Sequence, residues 1–155
     1  MRRRHLLTLL GAATSGGCLS LGASSAPPVL GTVKITNHAD EPYTVHVLVE
    51  RDGHPVYWAD HEATAADDGT LGGAPVPCPW GDKEGQYMVR ARLDDRTEWR
   101  SINLTDYDSD QLSLILTVGD PNTDQGDRPD LTIWHTSNPN ERCETATTTT
   151  GSSMQ

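Results

Sequence analysis

Phenylalanine is absent from the 155 residues, and lysine occurs only at Lys34 and Lys83. No apolar run reaches the roughly 18 residues that a membrane-spanning helix needs, which excludes a transmembrane helix in the mature chain. Basic residues are scarce, with 12 Lys and Arg against 22 Asp and Glu and a formal net charge of −10. Phosphate binding needs a basic surface, so no nucleic-acid partner is expected. Catalytic signatures are missing as well. The six histidines form no H-x-H or H-x-x-x-H pair, G-x-S-x-G is absent, and no cysteine sits beside a base. These absences argue against an enzyme and imply no cofactor.

The acidity has a texture: 15 Asp and 7 Glu stand against ten Arg and two Lys. Without Arg2, Arg3 and Arg4 the balance is 9 against 22, or −13. In strong salt the Debye length falls to about 3 Å, so self-repulsion among carboxylates is screened. Abundant Asp with scarce Lys resembles the composition of haloarchaeal proteins. It implies a fold that weakens when salt is withdrawn.

Residues 1–17 read as an export signal. Arg3-Arg4, followed by His5-Leu6-Leu7, resembles a twin-arginine signal, an address for proteins exported already folded. A short apolar stretch, Leu6 to Ala13, leads into Gly16-Gly17-Cys18. Small residues before Cys18 resemble a lipobox, whose cysteine becomes the lipidated first residue. Ser15 departs from that pattern, where Leu is usual. A rival cut lies after Ala26, although it would leave Pro27 as the next residue. Residues 18–30 form the lipid anchor and a flexible Ser/Gly/Ala/Pro tether.

Cysteine parity agrees with the lipobox. Three cysteines in an exported chain leave one odd thiol, and lipidation of Cys18 leaves Cys78 and Cys143 to pair. A metal site is the alternative, but neither cysteine has a second Cys or a His nearby. The disulfide is the expectation.

The folded part is expected at 31–143, before a Thr-rich disordered tail at 144–155. Its dominant period is two. Tyr43, Val45, Val47 and Val49 alternate with Thr44, His46, Leu48 and Glu50, and Arg51-Asp52-Gly53 turns the chain into a run over 55–60. Tyr87, Val89, Ala91 and Leu93 repeat the pattern, and Asp94-Asp95 turns into a strand over 97–104. Leu112, Leu114, Leu116 and Val118 form another inward row. Strands over 32–37 and 131–136, and a short edge strand near 71–76, complete the set. The reading is all-β: an immunoglobulin-like antiparallel sandwich of about seven strands. Arg90 and Arg92 are expected on an outer face, beside acidic residues such as Glu98.

The stretches Val33-Lys34-Ile35-Thr36-Asn37, Val47 to Gly53, Tyr87-Met88-Val89-Arg90-Ala91 and Leu131-Thr132-Ile133-Trp134 carry a resemblance. With Cys143 close behind the last, the folded part resembles small haloarchaeal exported lipoproteins with an immunoglobulin-like sandwich. The resemblance implies architecture and location, and it assigns no activity.

Two acidic loops have the composition of hard-cation sites. Asp106, Asp108 and Asp110 have D-x-D-x-D spacing, but Gln111 and Thr117 stand where an EF-hand loop needs Gly and Glu. Asp120, Asn122, Asp124 and Asp127 fail the same template. A solvated acidic surface is the expectation, and no metal is assigned. Trp58, Trp80, Trp99 and Trp134 are expected to supply core bulk in a chain without Phe. Exposed indoles would instead offer a carbohydrate platform. Asn103-Leu104-Thr105 is a glycosylation sequon at a strand end. The combined expectation is a non-catalytic lipoprotein on the outer face of the cell membrane, with an envelope protein or a glycan as partner. A secreted ligand-binding module, for carbohydrate or calcium, is the alternative.

Overall fold

The computed structural model describes residues 26–94, 96–123, 128–138 and 142–143. The export-signal positions Arg3 and Arg4, the lipobox Cys18 and the tail at 144–155 lie outside them. Eight strands follow in order: β1 (Val29–Asn37), β2 (Tyr43–Arg51), β3 (His54–Ala63), β4 (Gly72–Pro75), β5 (Tyr87–Leu93), β6 (Arg100–Asn103), β7 (Gln111–Val118) and β8 (Leu131–Thr136). A 3-10 turn, Leu104–Asp106, follows β6.

Alternation builds the strands. In β2, Val45, Val47 and Val49 are fully buried, while the residues between them face outward. In β5, Tyr87, Val89, Ala91 and Leu93 are buried and Arg90 is exposed. Between β2 and β3, Asp52 (φ 53°) and Gly53 (φ 76°) both occupy the left-handed region. This is the two-residue hairpin geometry whose twist matches that of the flanking strands.

The strands form two four-stranded sheets, ordered β4-β1-β7-β8 and β3-β2-β5-β6, that pack as a β-sandwich. Every neighbouring pair is antiparallel except β1 with β7, which run parallel. The count is eight strands where about seven were expected. The allocation of strands also has its own character. β1 and β2 lie in different sheets, whereas an immunoglobulin constant domain pairs its first two strands in one sheet.

β7 explains why β1 settles beside it. Leu112, Leu114, Leu116 and Val118 enter the core together with Leu30, Val33 and Ile35 of β1. On the opposite face Ser113 and Thr117 are also buried. There the Thr32 amide donates to Ser113 Oγ at 3.1 Å, and the Thr36 hydroxyl donates to Thr117 Oγ1 at 3.2 Å. Ser113 and Thr117 thus find partners across the parallel pair, whereas the buried Thr32 hydroxyl has none among the described residues.

Two expectations need correction. The core begins before residue 31, because Leu30 is fully buried and β1 starts at Val29. The strand expected over 97–104 shrinks to β6. Arg92 Nη1 donates to the Arg96 carbonyl at 2.8 Å, and the Arg96 guanidinium donates to the Pro129 carbonyl. These bonds hold 96–99 as a loop. The short edge strand β4 falls where it was expected, and Gly72 permits it. A Cβ there would lie 1.9 Å from the Thr64 carbonyl oxygen.

The Cys78–Cys143 disulfide forms, with Cα atoms 5.5 Å apart and a sequence separation of 65. Next to it, Trp80 is buried at 2% exposure and its ring meets that of Tyr57 edge-on. Bridge and indole together fasten the long segment between β4 and β5 against the start of β1.

Candidate functional site

Strand direction sorts the connections into two poles. The chain enters at Val29, whose amide donates to the Asp110 carbonyl, and the Gly85 amide donates to the Pro28 carbonyl. The Asp52-Gly53 turn, the loop over 76–86, the acidic loop over 106–110 and Cys143 share this entry pole. The strand ends joined by 38–42, 64–71, 94–99 and 119–130 lie at the other pole. In sequence these connections hold two, two, three and four acidic residues, half of the 22, against Arg96 and Arg128 alone.

At that acidic pole, Asp40, Glu41, Tyr43, Asp94, Arg96, Arg128 and Pro129 line an open cleft of about 700 Å³. Burial, reinforced by the negative charges of Glu41, Asp94 and Asp40, pushes the Tyr43 phenol above its ordinary range. The polar groups around the cleft work mainly on one another. Asp94 Oδ1 accepts from the Thr44 amide at 2.7 Å. Asp130 accepts from the Leu131 amide at 2.8 Å and pairs with both Arg96 and Arg100, joining the start of β8 to the start of β6. Burial works to raise the Asp130 carboxyl, but these donors outweigh it and hold it below its ordinary value.

Asp120 has a similar task. Only 2% exposed, it accepts from the amide and the side chain of Asn122 and from the Trp134 indole. The Asn122 amide is the largest cause that lowers its carboxyl. Asp120 and Asn122 of the second acidic cluster are therefore spent on shaping a turn; Asp124 and Asp127 lie outside the described residues. In the first cluster, Asp106 ends the 3-10 turn and Asp108 and Asp110 are exposed on the loop behind it. Among the described residues no three His, Cys, Asp or Glu side chains converge as a metal site would require.

The tryptophans depart from expectation. Only Trp80 is core; Trp58 is 72% exposed, Trp134 46% and Trp99 38%. Trp58 stands on the outer face of the β3-β2-β5-β6 sheet. Register places Trp58, Leu48, Arg90 and Ser101 in one row across its four strands. The next row holds Glu50, Met88 and Asn103. A third aligns Asp60, His46 and Arg92.

Half-buried Leu48 lies directly across from the exposed indole, and half-buried Met88 lies diagonally beyond it, on the far side of the Arg90–Glu50 pair. Arg90 pairs with Glu50 at 3.1 Å, and the Glu98 expected for it pairs instead with Arg100. Cross-strand distance decides this, since Glu50 lies two residues along the adjacent strand from Leu48, the residue opposite Arg90, whereas Glu98 precedes β6. Arg92 lies over the Trp99 ring, 5.2 Å from its centroid, a cation–π contact. His46 Nε2 donates to the Asp94 carbonyl at 3.0 Å, and its Nδ1 lies against the Asp60 carboxylate. Behind the sheet, burial lowers His61 and raises Tyr57, whose side chains are hydrogen-bonded at 2.9 Å.

Asn103 adjoins this face. It precedes the 3-10 turn, and its Oδ1 accepts from both the amide and the hydroxyl of Thr105, at 3.1 and 2.8 Å. Alternation singled out Leu48, Met88 and Arg90 as outward residues. It gave no signal that Trp58 joins them, because that depends on the register of β3 on β2. No family model, curated protein or solved structure matches the chain.

Proposed function

We propose that this chain is a non-catalytic lipoprotein, exported through its twin-arginine signal and held on the outer face of the cell membrane by a lipid on Cys18. The Cys78–Cys143 bridge is the observation that carries the reading. It accounts for two of the three cysteines and leaves Cys18 for other chemistry. A disulfide across a 65-residue separation also suits an oxidising compartment. The non-catalytic part rests on how the perturbed carboxyls are used. Asp120 and Asp130 each serve a loop or a junction between sheets, with their donors already in place. The entry pole faces the tether, so the acidic pole and the outer sheet faces are the surfaces free for an envelope partner.

Intact mass of the natively expressed protein from the membrane fraction, before and after reduction, tests the reading. A chain that begins at Cys18 with a lipid adduct, and gains two hydrogens on reduction, is the expected result. A soluble chain that begins after Ala26 overturns the anchor and leaves a secreted module. The exposure of Trp58 favours that second reading in its carbohydrate form. For calcium we find no such support.

A further inference from the structure

We infer that the apolar patch around Trp58 is covered by a glycan that the chain itself carries on Asn103. Three observations meet here. First, Trp58 is the most exposed of the large hydrophobic residues described, at 72%, on a strand held by the β2–β3 hairpin, and half-exposed Leu48 lies directly across from it. Met88, also half-exposed, lies between this pair and Asn103, beyond the Arg90–Glu50 ion pair. One indole and two such side chains fall short of the roughly 800 Å² per partner that a stable protein interface buries.

Second, the sequon residue stands on the same face. Asn103 is opposite Met88 across β5 and β6, and its neighbour Ile102 points the other way into the core. Three strand spacings separate Asn103 from the β3 position of Trp58, about 14 Å at the usual spacing between paired strands. A short oligosaccharide spans that distance.

Third, the amide is poised for modification. Thr105 fixes the Asn103 oxygen with two hydrogen bonds, and Nδ2 has no partner among the described residues. In the transfer, Nδ2 bonds to C1 of a lipid-borne glycosyl phosphate. The bond between C1 and the phosphate oxygen breaks, and the amide proton leaves as the phosphate departs. The sugars then have reason to lie down rather than extend. Their C–H faces are apolar and cover the indole, while their hydroxyls meet the Arg90–Glu50 pair and Ser101, which lie between Asn103 and Trp58 on this face.

The inference rests on export of the chain but not on lipidation. Its test uses the protein purified from the membrane fraction, as wild type and as Asn103→Gln, Thr105→Ser and Cys18→Ser. Intact mass reads the modification, and hydroxyl-radical footprinting reads the exposure of each side chain. The expected result is a glycan adduct on wild type and Thr105→Ser but not on Asn103→Gln. Oxidation at Trp58 and Met88 then rises several-fold in Asn103→Gln, while Trp134, on the other sheet, stays unchanged and reports an intact fold. A native chain with no sugar on Asn103 overturns the inference. So does a glycosylated chain whose Trp58 and Met88 oxidise as fast as those of Asn103→Gln. Cys18→Ser separates the two readings: loss from the membrane with Trp58 still protected leaves the roof intact. Retention on the membrane counts against the lipid anchor alone.

Discussion

The indole N–H of Trp80 donates to the main-chain carbonyl of Leu30 at 3.1 Å, in a site closed to solvent. A second acceptor, the Gly31 carbonyl, lies equally near. One side chain thus fills core volume and satisfies backbone groups at the irregularity of β1, where pairing with β7 skips between Leu30 and Val33. The same contact ties the loop after Cys78 to the first strand of the sandwich.

Trp80→Phe tests the polar part of this contact. A phenyl ring keeps much of the apolar volume, but two buried carbonyls lose their donor, which alone costs about 1–3 kcal/mol. Trp80→Ala adds a cavity and should cost about 3–5 kcal/mol. Denaturant unfolding of both variants in strong salt measures the pair. A negligible loss in Trp80→Phe would mean that the hydrogen bond contributes nothing, and equal losses in the two variants would mean that the ring left in Phe contributes nothing.

The Cys78–Cys143 bridge restrains the unfolded chain across 65 residues of separation. The chain-entropy model gives about 4 kcal/mol for a loop of that size. The double variant Cys78→Ser, Cys143→Ser should lose stability of that order, and reductant should lower the wild-type melting temperature while leaving the variant unaffected. Thermal unfolding with and without reductant decides it.

Asp120 and Asp130 hold carboxyls lowered in the folded state. Their contribution is therefore present above the ordinary Asp value of about 3.9, and it drains away as pH falls through the lower folded values. His61 acts with the same sign at higher pH. Burial lowers its folded value, so acid favours the unfolded chain once pH drops below the ordinary histidine value of about 6.5. Unfolding free energy measured from pH 7 to pH 2 should fall in two stages. Asp120→Asn should flatten the acid stage, and His61→Gln the stage above it.

In sequence, half of the acidic residues fall in the four connections that join strand ends at one pole, with Asp67 and Asp68 adjacent in one of them. Repulsion there should weaken the fold in dilute buffer and be relieved as salt shortens the Debye length from about 10 Å at 0.1 M to about 3 Å at 1 M. The melting temperature should rise across that range. Asp67→Asn with Asp68→Asn should raise the low-salt value and reduce the slope. A melting temperature indifferent to salt would remove the electrostatic account.

Much of the architecture was legible in the order of residues, because it depends on neighbours. Alternation in 43–51, 87–93 and 111–118 set which side chains enter the core. Asp52-Gly53 set a hairpin, since that pair tolerates two left-handed residues. The parity of three cysteines pointed to the Cys78–Cys143 pair. The tertiary structure decided what local pattern cannot encode. β1 joins β7 across a separation of about eighty residues, and Ser113 and Thr117 are buried on the face of that pair away from the core. Pairing of β3 on β2 turned Trp58 outward, and pairing of β5 on β2 gave Arg90 to Glu50 rather than to Glu98. A strand has two faces, and its own sequence marks them as different. Which strands flank it, and in what register, is settled only when distant segments compete to bury the same apolar rows.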